Sequence, residues 1–392
     1  MRSVADQARP SWAEVTLTNW MTAPYNRLAF QHVGELIPSA AVAAGATPWR
    51  WPEPSAVSLG PDPELADLLD ATDTDAFLVL RSGMVEHEEY RRGMNPDSRH
   101  LCMSVSKSVA GTLAGVLVAG GDLDPAAQVT DLVPEFASTG MAGATVRHLL
   151  DMRTGTQEQI TTLAEQRAYY ATAQWAPAAE APVRDPDTRS HFWRFQRDRA
   201  HGGDFGYRST LTCVLALLME RATGRSYPDL LSERLWQPMG AERDAEVTVD
   251  AAGNALADIG LSCTARDLAR FGEMLRRGGR GGGERCVVPP AWIADILSPD
   301  HDQQEAFREQ GTTYLPHPDA YYRDQWWVAS PRTADRGGAW FALGIHGQLL
   351  YIDEDAELVV VKFSSWPEPW VPESASATYR LCARLAGSNF AG

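Results

Sequence analysis

Lysine is almost absent from this sequence. Lys and Arg together number 35 among 392 residues, yet only Lys107 and Lys362 are lysine, so arginine carries the ordinary surface charge. Each lysine therefore needs its own explanation. A guanidinium keeps its proton under protein conditions, whereas a desolvated lysine amine can lose it and act as a base. Positive charge as a whole is also short: the formal net charge is -16, which excludes unspecific binding to nucleic acid or to an anionic membrane. Long apolar runs are missing, and no stretch reaches the length of a membrane span. Residues 1–30 lack the continuous apolar core of a signal peptide, so the expected location is cytoplasmic.

Cysteine is sparse and unpaired in pattern. Cys102, Cys213, Cys263, Cys286 and Cys382 are odd in number and show no CxxC spacing, which argues against a disulfide framework or a zinc site. Cys102 reads as a buried structural thiol. HEEY at 87–90 is not HExxH, no GxSxG elbow occurs, and RGGRGGGE at 277–284 follows no strand, so it reads as a turn and not a phosphate loop. No metal or organic cofactor is expected.

What the chain does contain is a globular composition, 44% hydrophobic and 22% charged, long enough for one large core or two adjoining ones. Residues 1–70 are rich in Pro and Trp and read as a lead segment packed on a larger body, with a short helix at DPELADLLDA (62–71). DAFLVLR and VEHEEYRRG, around a turn at Gly83, read as a β-hairpin. SVSKSVAGTLAGVLV (104–118) has helix length and is apolar most of the way round, which predicts a buried helix, with Gly111 and Ala114 or Gly115 allowing close packing and Gly120 and Gly121 ending it. Residues 130–250 are mainly helical in pattern, as is SCTARDLARFGEMLRRGG (262–279). Strand-like segments follow at 325–330, 340–353 and 357–366, the last two forming an antiparallel hairpin around DEDA. Strands at both ends of a helical block predict an α/β layer (71–129 and 251–392) with an inserted helical subdomain (130–250) and a cleft between them.

In MSVSKS, Ser104 and Lys107 stand three residues apart. If the helix begins at Ser104, both side chains lie on one face within reach of each other. A serine at a helix amino terminus also has free backbone N–H groups nearby for a developing oxyanion. A neutral Lys107 amine can take the Ser104 proton and turn a weak hydroxyl into a nucleophile.

These residues resemble the serine hydrolases of the penicillin-binding protein and class C β-lactamase fold, whose SxxK motif begins a central helix. GDLDPAAQVTDLVPEF (121–136), TVRHLLDMRTGT (145–156) and GYRSTLTCVLALLMERATGRSY (206–227) resemble further segments of that family, which together span most of residues 75–366. MSVSKS, SCTARDLAR, QWW, GIHGQ and VKFSSWP resemble the 6-aminohexanoate-dimer (nylon oligomer) hydrolase branch and related esterases. The resemblance implies an α+β, β-lactamase/transpeptidase-like fold: an antiparallel sheet flanked by helices. It places Tyr207 beside Ser104 and Lys107 as a proton relay, Ser209 as a supporting donor, and the backbone N–H groups of Ser104 and Ile345 as the oxyanion hole. His346 would shape the pocket.

The chain departs from the family in three places. The KTG motif is absent, with GIHGQ (344–348) in its place, which removes the lysine that would recognise a β-lactam carboxylate. The acidic, tyrosine-rich stretch after LDM is not reproduced, leaving Tyr169, Tyr170 and Asp185 as substitutes. Asp258 stands where the nylon-oligomer enzymes have asparagine, so a substrate contact has changed charge. The expected activity is hydrolysis of an amide or ester through a Ser104 acyl-enzyme, on 6-aminohexanoate-oligomer-like amides or carboxylic esters. Acyl transfer to an amine or alcohol and a non-catalytic ligand-binding role are the alternatives. The expected partner is a small-molecule amide or ester, with a homodimer allowed.

Overall fold

A computed structural model of the protein describes residues 10–51, 62–157, 163–180, 187–300 and 302–387; Asp185 lies outside the described residues. Among the described residues there are eleven strands: β1 (Ser39–Val42), β2 (Thr74–Arg81), β3 (Met84–Tyr90), β4 (Arg99–Leu101), β5 (Ala245–Thr248), β6 (Leu261–Thr264), β7 (Tyr321–Arg323), β8 (Trp326–Ser330), β9 (Ala339–Gly344), β10 (Gln348–Asp353) and β11 (Leu358–Ser364). They make two antiparallel sheets, one ordered β3-β2-β11-β10-β9-β8-β7 and a smaller one ordered β1-β5-β6-β4. The large sheet draws on both ends of the chain, and the β2–β3 and β10–β11 hairpins lie where the alternation and turn residues put them.

Three readings need correction. Residues 340–353 are not one strand but two, β9 and β10, folded back at Ile345–Gly347, where His346 has φ 60°. SCTARD does not open a helix at Ser262: Leu261–Thr264 is β6, and the helix runs Ala265–Arg276 with the Thr264 side chain accepting from Asp267 N. The third correction concerns the end of the Ser104 helix, where Gly120 stays right-handed and only Gly121, at φ 78°, takes the left-handed form.

The helix Val105–Ala119 is buried on nearly every face, as its all-round apolar composition requires. One side packs on β8, β9 and β10, and the other meets the helix Ser209–Thr223. Close approach depends on its glycines. A Cβ at Gly111 would lie 2.2 Å from Asp324 O, and one at Gly115 would lie 2.3 Å from the Trp292 ring. The β7–β8 turn pressed on Gly111 is itself fixed by the Gln325 amide, which donates to Leu149 O and Leu150 O, while Ser108 Oγ donates to Gln325 O.

Lys362, in the middle of β11, is fully buried and donates to Thr72 O and to Ser364 Oγ. Burial lowers its pKa to about 7 against the pull of Asp75 and Asp73. An unfolded chain keeps a lysine proton up to about pH 10.4. Between these values the unfolded state binds more protons, so this group makes folding stability rise with pH, and its penalty is fully present below pH 7.

Two outcomes follow. Gly111→Ala is expected to cost about 1–3 kcal/mol, because the added methyl meets backbone and not a flexible side-chain end; an unchanged urea midpoint would contradict this packing. Lys362→Met is expected to gain stability over wild type by a few kcal/mol (order of magnitude) below pH 7, with the difference shrinking towards pH 10. Urea titrations of both proteins that gave a pH-independent difference would overturn this account of the buried amine.

Candidate active site

Ser104 stands where β4 turns into the helix. The small sheet holds this corner: Cys102 N donates to Leu261 O at 2.7 Å, and Ser106 Oγ accepts from Leu261 N at 3.2 Å while donating to Met103 O at 2.6 Å. Met103 has φ 49°, a left-handed conformation that a bulky side chain adopts only when its surroundings enforce it. The Ser104 hydroxyl is thereby set at the start of the helix, 9% exposed.

Lys107 follows one turn later, with 1% of its surface exposed. Its Nζ lies 3.0 Å from Ser104 Oγ and donates to Asp258 O at 2.9 Å. A carbonyl can only accept, so it takes one N–H of the amine and leaves the rest of the nitrogen, its lone pair included when neutral, free to face the hydroxyl. Burial lowers the Lys107 pKa; the nearby Asp258 opposes this. Asp258 arrives beside Lys107 because it lies three residues before the start of β6, the strand that pins Cys102.

Tyr207 sits just before the helix Ser209–Thr223, on the same side of the cleft as Ser104 and Lys107. Its ring lies 5.2 Å from Lys107 Nζ and is walled by Trp327, Tyr314, Tyr322 and Phe205 at centroid distances of 5.0, 5.8, 5.9 and 6.4 Å. Burial raises the phenol pKa. This aromatic wall was not evident from the sequence, since its members come from three distant segments.

The β9–β10 turn closes another side. A Cβ at Gly344 would fall 2.7 Å from Cys102 O and 3.1 Å from Met103 Cβ, so Ile345 follows a residue in contact with the corner that presents Ser104. Tyr170 is half-buried, stacks near Trp175 at 6.2 Å, and packs in one cluster with Met103 and Ile345. Ser209 is half-buried at the first position of its helix.

Two residues expected to meet substrate face elsewhere. His346 is buried, and its Nδ1–H donates to Trp366 O at 2.8 Å, so its ring anchors the turn to the end of β11. Asp258 contributes its carbonyl to Lys107, while its fully buried carboxylate accepts from Cys213 Sγ at 3.1 Å. Among the described residues no three His, Cys, Asp or Glu side chains are grouped to hold a metal ion, and no helix is long and apolar enough to cross a membrane.

The β-lactamase family model matches residues 65–384. A 6-aminohexanoate-dimer hydrolase of Paenarthrobacter ureafaciens is 41% identical over 364 residues, covering 91% of this chain and 89% of that protein. The solved structure "Putative 6-aminohexanoate-dimer hydrolase from Bacillus anthracis" superposes with a TM-score of 0.81 at 27% identity, covering 97% of this chain and 98% of the other. EstCE1, described as a hydrolase with promiscuous acyltransferase activity, shares the fold at a TM-score of 0.61 and 16% identity, covering 83% of this chain and 98% of the other. With four-fifths of its length matched by the family model and a curated hydrolase aligned over most of both chains, this protein belongs to the β-lactamase family and is a hydrolase of that fold.

Proposed function

We propose that the chain cleaves an amide or ester bond through an acyl-enzyme on Ser104. The observation that carries this reading is the 3.0 Å separation of Lys107 Nζ and Ser104 Oγ, with the amine withdrawn from water. In acylation, the neutral Lys107 amine takes the hydroxyl proton as Ser104 Oγ attacks the substrate carbonyl. The oxyanion that forms is held by the backbone N–H groups of Ser104 and Ile345. Tyr207, beside Lys107 and kept protonated by burial, passes a proton to the leaving amine or alkoxide. Water then attacks the acyl-enzyme with the same groups acting in reverse.

The substrate class is a small amide or ester. The 41% identical relative is named for the 6-aminohexanoate dimer, which supports short ω-amino acid amides, and a family VIII carboxylesterase with this fold supports esters. Tyr170 lines the acyl side of the site in this reading, and Ser209 supports Tyr207. A cytoplasmic setting is part of the proposal, supported by five cysteines scattered without paired spacing, which suits a reducing compartment.

Stoichiometric labelling by a fluorophosphonate is expected for the wild type and lost in Ser104→Ala; a labelled Ser104→Ala protein would refute the nucleophile. Lys107→Arg keeps the charge and removes the base, so kcat should fall roughly 10²- to 10⁴-fold while the circular dichroism spectrum is retained. Near-normal turnover would remove Lys107 from the mechanism. Because activity needs the neutral amine, kcat/KM should rise with pH as Lys107 loses its proton. Asp258 holds that pKa up, so Asp258→Asn is expected to move the acid limb to lower pH. A limb that stays in place or moves upward would contradict the charge assignment. If an added amine diverts product from free acid, the enzyme is an acyltransferase.

A further inference from the structure

The two backbone N–H groups assigned to the oxyanion come from separate elements, Ser104 from the corner after β4 and Ile345 from the β9–β10 turn. Such a hole works only if both donors stand about 2.7–3.1 Å from the point where the oxyanion forms, so the spacing of the two elements has to be fixed. One residue of the lead segment touches both. It is Phe30, which lies before the span 65–384 matched by the family model.

Phe30 is fully buried at the end of the short helix Asn26–Ala29. Its carbonyl accepts from Leu101 N at 2.8 Å, which ties it to the last residue of β4. Its ring stands edge-on to two histidines, His346 of the β9–β10 turn at a centroid distance of 5.2 Å and His100 of β4 at 5.8 Å. Met103 and Ile345, on either side of the site, pack in the same apolar cluster as Phe30. Asn26 secures the segment one turn earlier. Its Nδ2 donates at 2.9 Å to Trp366 O, the carbonyl that also accepts from His346 Nδ1 at 2.8 Å, and Phe30 N donates to Asn26 O at 2.9 Å. The lead segment and the β9–β10 turn therefore hang from one acceptor. In a close-packed interior a rigid ring between two elements sets their separation, because neither can move inward without overlap or outward without losing contact.

From this geometry we propose that Phe30 is a positioning residue for the oxyanion hole, a spacer that sets the distance between the Ser104 and Ile345 N–H groups. It touches no reacting atom. The proposal rests on the acyl-enzyme reading above and gives the lead segment a part in it. A misplacement of one donor by about 1 Å is enough to cost a large factor in rate, so a spacer remote from the chemistry has a kinetic effect.

The test compares 4-nitrophenyl acetate with its thiono analogue, in which sulfur replaces the carbonyl oxygen. The larger, weakly accepting sulfur fits a rigid hole badly, so the wild type is expected to favour the oxo ester in kcat/KM by more than hydroxide does in water. Phe30→Leu keeps the carbonyl that accepts from Leu101 and removes the ring; the oxo-to-thiono ratio should fall roughly threefold or more, with the circular dichroism spectrum retained. Asn26→Ala, which releases the segment from Trp366 O, should lower the ratio in the same sense and takes the place of Phe30→Leu if that variant folds poorly. Val33→Ala thins the same apolar cluster and is expected to leave the ratio at the wild-type value, which separates spacing from a general loss of stability. A Phe30→Leu ratio equal to wild type, or an equal fall in Val33→Ala, overturns the positioning role. A wild-type ratio no greater than that of hydroxide overturns it together with the oxyanion hole. Turnover of both esters that survived Ser104→Ala would instead refute the acyl-enzyme reading, so the failures are distinguishable.

Discussion

The interaction on which the site depends is a lysine amine held dry between a hydroxyl and a carbonyl. In water an ammonium at position 107 would be a poor base for a serine. Enclosed by the helix Ser209–Thr223, the Tyr207 ring and the segment before β6, it finds no solvent to stabilise its charge, and the neutral form gains ground. The Asp258 carbonyl does two things for it: it satisfies one N–H, which a buried polar group requires, and it fixes the position of the nitrogen beside the hydroxyl. Most of the surrounding structure serves this enclosure. Gly111 lets the helix sink against the β7–β8 turn, and β6 holds both the strained corner at Met103 and the backbone that reaches Lys107.

Such enclosure is costly to the fold. The Asp258 carboxylate is fully buried with a thiol as the donor to one oxygen, and a chain selected for stability alone would not place an acid beside a lysine that must lose its proton. The acid moderates the lysine: without it, desolvation would push the amine pKa lower and leave a weaker base. The departure from asparagine at this position, read in the sequence as a change in a substrate contact, is better understood as a change in the electrostatics behind the base.

Much of this could be read before any coordinates. The buried helix was legible because its apolar residues surround the axis, and the Ser104–Lys107 pair because three-residue spacing puts both on one face. The β2–β3 and β10–β11 hairpins announced themselves by alternation and turn residues. What escaped was whatever depends on tertiary register. The four-stranded sheet is built from strands of three or four residues, too short for a periodic signal, and β6 was absorbed into the helix that follows it. The fold-back at Ile345–Gly347 was hidden because apolar residues run through both strands and His346 gives no hint of a left-handed turn. Asp258 takes part through its backbone carbonyl, which carries no residue-specific trace. The aromatic wall around Tyr207 gathers Phe205, Tyr314, Tyr322 and Trp327 only once the fold exists.

Both lysines of this chain are buried, and nothing else in the sequence bears a side-chain amine. The folded surface therefore offers acylating reagents no lysine amine to capture. Acylation of Lys362, buried within the large sheet, reports that the core has opened, which makes simple chemical modification a clock for its unfolding.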